Sequence, residues 1–217
     1  MYSCSYIYVL TIILSKEITE ENFLEKDQQQ KNQILLAAGL VFQQHGYAKT
    51  SMDDIARQAG KSRTTIYKYY KNKDQVFDDY LISEIREIIR LAAETVSDSA
   101  TLKSNLISYN SKKTEQMQSR LALYRKLVGR DIESTKHHTF FREQFTLAEK
   151  TIMKQMFQQG ITNQEIAPIP EADLDFLISV ITLALRGIEE EAFLSEEYAL
   201  LDQRLEWLIG MTVRGLK

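Results

Sequence analysis

Between Arg57 and Lys73 the chain carries six basic residues and no acidic one: Arg57, Lys61, Arg63, Lys68, Lys71 and Lys73. Interleaved with them are the hydroxyl side chains Ser62, Thr64, Thr65, Tyr67, Tyr69 and Tyr70. Ammonium and guanidinium groups neutralise phosphates and hydroxyls donate to phosphate oxygens, so this mixture suits the gripping of a polyanion. Residues 28–80 hold eight Lys or Arg against five Asp, a net of +3, in a chain of 217 residues whose total is −3. The remainder is therefore −6, and the positive face is local, as phosphate binding requires. Other chemistries lack their residues. There is no Gly-rich phosphate loop, no Gly-x-Ser-x-Gly elbow, no His paired with a nucleophile and no metal-ligand spacing. The adjacent His137 and His138 point in different directions on a helix and do not share one ion. The expectation is a protein that is not an enzyme and takes no cofactor or metal.

A basic run alone is usually only a solvated face, so the elements that carry it decide the reading. The composition favours helices joined by short loops: 2 Pro, 8 Gly and 44% apolar residues. Ile34, Leu35, Ala38, Val41 and Phe42 recur at helical intervals, and His45-Gly46-Tyr47 closes that helix with Gly46 in the left-handed position. Ser51 with Asp54 three residues later reads as the cap of a second helix, whose buried side is Ile55, Ala56 and Ala59 and whose end is Gly60. Ser62 caps a third short helix, to about Tyr69. Asn72, with Gln75 as its reciprocal partner, caps a longer fourth helix to about Val96. Two short helices that cross closely need a small residue at the contact, a glycine at the turn and apolar residues that lock them. Ala56, Gly60, Ile55 and Ile66 stand at those places.

Together Thr50-Ser51, Asp54-Ile55-Ala56, Ala59-Gly60, Ser62, Ile66-Tyr67, Tyr69-Tyr70 and Lys73 resemble the DNA reader of the TetR family, as does the preceding Ala38, Phe42, Gly46, Tyr47 pattern. The resemblance is specific over about residues 30–80 and architectural beyond. It implies an all-α protein: an N-terminal three-helix helix-turn-helix domain at 28–88, with the motif at about 51–70, followed by a helical effector-binding and dimerisation domain at 89–217. It implies that Thr50, Ser51, Lys61, Tyr67, Tyr69 and Lys73 hold phosphates and that Ser62, Arg63, Thr64, Thr65 and Lys68 face bases in the major groove. The sequence departs from the family in having Tyr69-Tyr70 where His-Phe is common. Tyr69 still reaches a phosphate through its hydroxyl, and Tyr70 packs inward.

One helix-turn-helix contacts too few bases for an operator, so a two-fold pair is expected on double-stranded DNA. The final two helices, about 173–190 and 197–214, supply the surface. Leu174, Leu177, Ile178, Ile181, Leu185 and Ile188 form one apolar stripe, and Leu201, Leu205, Leu208, Ile209 and Thr212 form the other. Ala184, Gly187 and Gly210 allow close approach, and Val180, Leu183, Trp207 and Met211 lie off the stripes, more than one core needs. The predicted homodimer interface is Leu177, Ile181, Ala184, Leu185, Ile188, Leu201, Leu205, Leu208 and Thr212. A third body helix through Phe140, Phe145, Ile152 and Phe157 ends at Gly160. The aromatic and methionine side chains Tyr109, Met117, Tyr124, Phe141, Phe145, Met153 and Met156 suit a cavity for a largely apolar effector.

The run Tyr6 to Leu14 is about half the length of a membrane span, has no basic residue before it and no cleavage site after it. It reads as an added element, a disordered leader, or residues upstream of the true start; residues 1–27 are set apart for that reason, and 16–30 read as a solvated lead-in. Cys4 is the lone cysteine, so no intrachain disulfide forms, which agrees with a bacterial cytoplasm and a nucleoid association when DNA is bound. The expected function is a repressor released from its operator by a small apolar ligand; the alternative is a ligand-independent regulator or activator with a solid body.

Overall fold

The computed structural model describes residues 4–120, 135–195 and 200–217, with side chains from residue 26 onward except 135–138, 141, 142 and 193–195. Among the described residues there are eight α-helices and no strand: α1 (Cys4–Lys49), α2 (Met52–Gln58), α3 (Arg63–Tyr69), α4 (Lys73–Ala93), α5 (Leu102–Ser119), α6 (Thr135–Thr162), α7 (Glu171–Ser195) and α8 (Leu201–Gly215). The chain divides into two compact units, Met1–Tyr80 and Leu81–Lys217, with the division inside α4.

In the first unit, α1 is longer than the sequence suggests. The stretch 16–30, read as a lead-in, is helical, because no Gly or Pro precedes Gly39 and its Glu, Gln, Lys and Leu are good helix formers. Helical geometry breaks only at Gly46 (φ 75, ψ 164), where a side chain would be strained. Ile34, Ala37, Ala38, Val41 and Phe42 form the buried face of α1. They meet Ile55 and Ala56 of α2, Ile66 of α3, and Val76, Phe77 and Tyr80 of α4, all buried. The Phe42 and Phe77 rings meet edge to face at 4.8 Å. Gly39 admits Tyr80: a Cβ there would lie 2.6 Å from Tyr80 Cε2.

In the second unit, α5 packs on α6 and α8, α6 on α7, and α7 on α8. Leu102, Leu106, Tyr109, Met153, Phe157, Leu174, Ile178, Leu185, Leu201, Leu205, Ile209 and Val213 fill one core, which also takes Ala92 of α4. Gly160 does not end α6 as expected. The helix runs on to Thr162, and Gly160 instead makes room for Leu102, whose Cδ2 would be 2.9 Å from an added Cβ. The reversal falls at Gln164 (φ 59). Pro168 and Pro170 lie in the loop before α7.

Candidate nucleic-acid interface

The reader is built from its caps. Ser51 Oγ accepts from Asp54 N at 3.2 Å and Ser51 N donates to Asp54 Oδ2 at 3.0 Å, a complete capping box at the start of α2. These bonds from Ser51, with the Arg57 charge beyond them, hold the Asp54 carboxyl below its ordinary value. At the other end of α2, Gly60 N donates to Arg57 O (3.2 Å) and Lys61 N to Ala56 O (3.0 Å), a Schellman closure. It places Gly60 at φ 61. Ser62 Oγ then accepts from Thr65 N at 3.1 Å and starts α3. The turn therefore has a fixed geometry, and Ile55, Ala56 and Ile66 lock the two helices from inside.

With Ile66 and Tyr70 turned inward, the other face of α3 is open. Ser62, Arg63, Thr64, Tyr67 and Lys68 are exposed, and Lys61, Thr65 and Tyr69 are half-buried. The Arg63 guanidinium lies 5.4 Å from the Tyr67 ring centre and 3.3 Å from Asp53 Oδ2. Tyr67 and Asp53 raise its pKa, so it stays charged and pre-oriented. Lys68 lies 5.6 Å from the Tyr69 ring centre. Burial, and then the nearby Asp27 carboxylate of α1, raise the Tyr69 pKa.

Two of the expected phosphate contacts have partners within the protein. Thr50 is buried; its hydroxyl donates to Gly46 O at 2.7 Å and closes the end of α1, so it is not presented to a ligand. Lys73 Nζ donates to Tyr47 O at 2.8 Å and sits 4.3 Å from the Tyr47 ring centre, which makes it a brace between α4 and α1. Both residues follow or precede a helix end, where carbonyls lack intrahelical partners and capture the nearest donor. Ser51, Lys61, Tyr67 and Tyr69 remain around the exposed face of α3.

In the body, Tyr109, Met117, Phe145, Met153 and Met156 are buried, and none of them lines either of two described clefts. The larger cleft, about 730 Å³, is bordered by Ile161, Ile166, Pro168, Val213, Lys103 and Arg214. Phe141 falls on α6 with its side chain outside the described residues, and Tyr124 lies outside them altogether. Sequence reasoning missed a buried polar set beside these residues: Asn105, Asn110, Lys113, Thr114, Glu149, Thr182, Arg186 and Glu189. The stretch 110–116 is polar in composition, and its spacing (Tyr109, Lys113, Met117) was the available signal.

The predicted dimer stripes divide. Leu185, Leu201 and Leu205 are buried in the protomer's own core, and Leu177, Ile181, Ile188, Leu208 and Thr212 are half-buried; of the nine only Ala184 is exposed. The open apolar face is the opposite one, Phe176, Val180 and Leu183 of α7 with Trp207 and Met211 of α8 and the preceding Leu200. The more continuous stripe of each helix is consumed by the single-chain core, and the off-stripe residues are what remains. Among the described residues no helix is long and apolar enough to cross a membrane, and no group of three His, Cys, Asp or Glu converges.

The crossed α2 and α3, the fixed turn and the open basic face define a helix-turn-helix protein with a separate helical body. Residues 34–80 match the model of the family described as "Bacterial regulatory proteins, tetR family". Residues 34–80 are thus a reader domain of the TetR family. It is 36% identical over 76 residues to the "uncharacterized HTH-type transcriptional regulator YhgD" of Bacillus subtilis, covering 35% of this chain and 40% of that one. It is 25% identical over 194 residues to the "uncharacterized HTH-type transcriptional regulator YfiR" of the same organism, covering 84% and 91%. In fold it is similar to the Bacillus subtilis transcriptional regulator FadR solved in complex with stearoyl-CoA (TM-score 0.58, 21% identity, 82% of this chain and 96% of that one). The chain spans less than half the length of YhgD in that match.

Proposed function

We propose that the protein is a homodimeric transcriptional repressor that binds operator DNA through α3 and is released by a small, largely apolar effector. The observation that carries this is the reader surface. The caps and the Schellman turn fix α3, Ile66 and Tyr70 anchor it, and Ser62, Arg63, Thr64 and Lys68 are exposed on its outer face. In that setting Arg63 exchanges Asp53 for the O6 and N7 acceptors of a guanine, and the Thr64 methyl meets a thymine methyl. Lys61, Ser51, Tyr67 and Tyr69 hold the backbone. A second copy of the chain covers Phe176, Val180, Leu183, Trp207 and Met211, too large an apolar face for a soluble monomer, with Ala184 and Gly187 exposed beside them to admit a close helix. The effector part is supported by the FadR likeness and by the run of Met and aromatic side chains in the body. For the switch, an effector moves α5, which is tied to α4 by Arg120 Nε to Glu84 Oε2 at 2.7 Å; α4 continues into the reader. The ligand must bind more tightly to the state that does not fit DNA.

The burial of Tyr109, Met117, Phe145, Met153 and Met156 favours the second reading, a regulator with a solid body. Selection of bound duplexes from a random pool, followed by titration with apolar compounds, separates the two. A palindrome released by a bound compound supports the first. A palindrome that no bound compound releases leaves the second, and no preference among duplexes at moderate salt refutes both.

A further inference from the structure

Four charged side chains lie in the interior of the body: Lys113 of α5, Glu149 of α6, and Arg186 and Glu189 of α7. Lys113 Nζ is 2.8 Å from Glu149 Oε1 and 3.1 Å from Glu189 Oε1, and Arg186 Nη2 is 3.3 Å from Glu149 Oε2. The Tyr109 hydroxyl also donates to Glu149 Oε1, at 3.3 Å. Removing charges from water is costly, and apolar residues of similar volume commonly serve a helical core as well or better. The cluster is therefore not explained by packing. Its surroundings are under-satisfied too. Among the described residues, Asn110 Oδ1, Thr114 Oγ1 and Thr182 Oγ1 are buried without a hydrogen-bond partner. Helical register puts Asn110, Lys113 and Thr114 on one stripe of α5 and Thr182, Arg186 and Glu189 on one stripe of α7. Apolar side chains flank the charges: Met117 one turn from Lys113, and Phe145 and Met153 one turn either side of Glu149, all buried.

We infer that this cluster is the head-group subsite for an organic anion, a carboxylate joined to an apolar chain, with Lys113 and Arg186 as its partners and Met117, Phe145 and Met153 against the chain. The inference rests on the effector-binding reading above and names the class of effector. The sign of the charge follows from which member of the network yields. Burial works against the charge on Lys113, but Glu149 and Glu189 outweigh it and raise its pKa. Burial pushes Glu189 up to about 6, Lys113 opposing and the Glu149 charge adding to it, with Arg186 again opposing. The groups acting on Glu189 are thus Lys113 and Tyr109 of α5, Glu149 of α6 and Arg186 of α7. A carboxylate is surrendered before a cation. An incoming anion takes the place of Glu189 on Lys113, Glu189 accepts one proton from solvent, and the net charge of the interior is unchanged. A cationic ligand would have to expel Lys113 or Arg186, both of which Glu149 holds.

The test is calorimetric titration of the full-length protein with decanoate, decanol and decyltrimethylammonium. Decanoate is expected to bind about tenfold or more tighter than decanol, and Lys113→Met and Arg186→Met to abolish that preference. Because Glu189 takes up a proton, decanoate affinity falls from about pH 6 to about pH 8, by at most about tenfold per unit, while decanol affinity stays flat. Glu189→Gln removes the slope. Equal binding of decanol and decanoate, preference for the ammonium compound, or no binding of decanoate overturns the inference. If either methionine variant fails to fold, the wild-type preference and its pH slope decide. Decanol releasing operator as well as decanoate would sink the head-group subsite and leave the effector reading standing.

Discussion

The division of α7 and α8 into a core face and an open face makes a prediction with opposite outcomes for neighbouring residues. Leu205 is 2% exposed and Trp207 is 63% exposed, two positions apart on the same helix. Leu205→Ala leaves a cavity within one protomer. The lost transfer energy and the void together cost about 2–5 kcal/mol of folding stability, with the dissociation constant of the folded dimer unchanged to first order. Trp207→Ala removes little from the protomer, within about 0.5 kcal/mol for a surface substitution. In a two-fold interface, however, each substitution occurs twice. A central tryptophan contributes about 2 kcal/mol or more, so the dimer loses about 4 kcal/mol, roughly a thousandfold in Kd. The assay is sedimentation over a wide concentration range beside urea unfolding at one fixed concentration. Leu205→Ala should lower the unfolding midpoint and keep the association constant; Trp207→Ala should do the reverse. A Trp207→Ala protein that dimerises as tightly as wild type would refute the assignment of the open face, and a Leu205→Ala protein that loses association but not stability would restore the stripe read from the sequence.

Three further outcomes follow from the reader. Gly39→Ala places a Cβ 2.6 Å from the Tyr80 ring and should cost about 1–3 kcal/mol by overpacking, measured by denaturant unfolding. Arg63→Ala should relax base preference at one position of each half-site by about tenfold or more, whereas Lys61→Ala should weaken all duplexes alike and flatten the salt dependence, both read from a duplex-pool binding assay. The Asp54 carboxyl is held below 3.8 in the folded state, so its share of stability is complete above that pH and is lost as pH falls through the lowered value. Asp54→Asn should therefore narrow the stability gap from wild type as the pH is taken below about 4, checked by unfolding across that range.

The reader was legible in the sequence because its determinants are local. A capping serine, an aspartate three residues on and a glycine after the helix act within one turn of chain, and Ser51, Asp54, Gly60 and Ser62 all do in the structure what their spacing suggests. The partners of Thr50 and Lys73, the carbonyls of Gly46 and Tyr47, were not legible, because they belong to a helix end whose place depends on tertiary packing. The body was legible in its helices and not in its faces. Both stripes of α7 and α8 are apolar, and only the position of α5 against α8 and α6 against α7 decides which is spent inside. The ion cluster was invisible for the same reason: Lys113, Glu149 and Glu189 are ordinary surface residues until three helices bring them together.

In the proposed switch the chain connects body to reader through α4, the helix within which the two units divide. A useful switch needs a coupling of about 1–3 kcal/mol. The Arg120–Glu84 pair is partly exposed, and such pairs give at most about 1 kcal/mol; it is too weak to carry the signal alone. The stronger connection is packing. Ala92 is buried in the same core as Leu102, Leu106 and Tyr109, and Ile89 lies against it, so a shift of α5 is felt directly by the last turn of α4. Arg120→Met should then keep most of the operator response to effector. Ala92→Leu, which overpacks the core that holds the last turn of α4, should change operator affinity in the absence of effector and shrink the response to it. Measured operator affinities with and without effector distinguish the two variants, and a response abolished by Arg120→Met but untouched by Ala92→Leu would show that the ion pair, not the packing, transmits the signal.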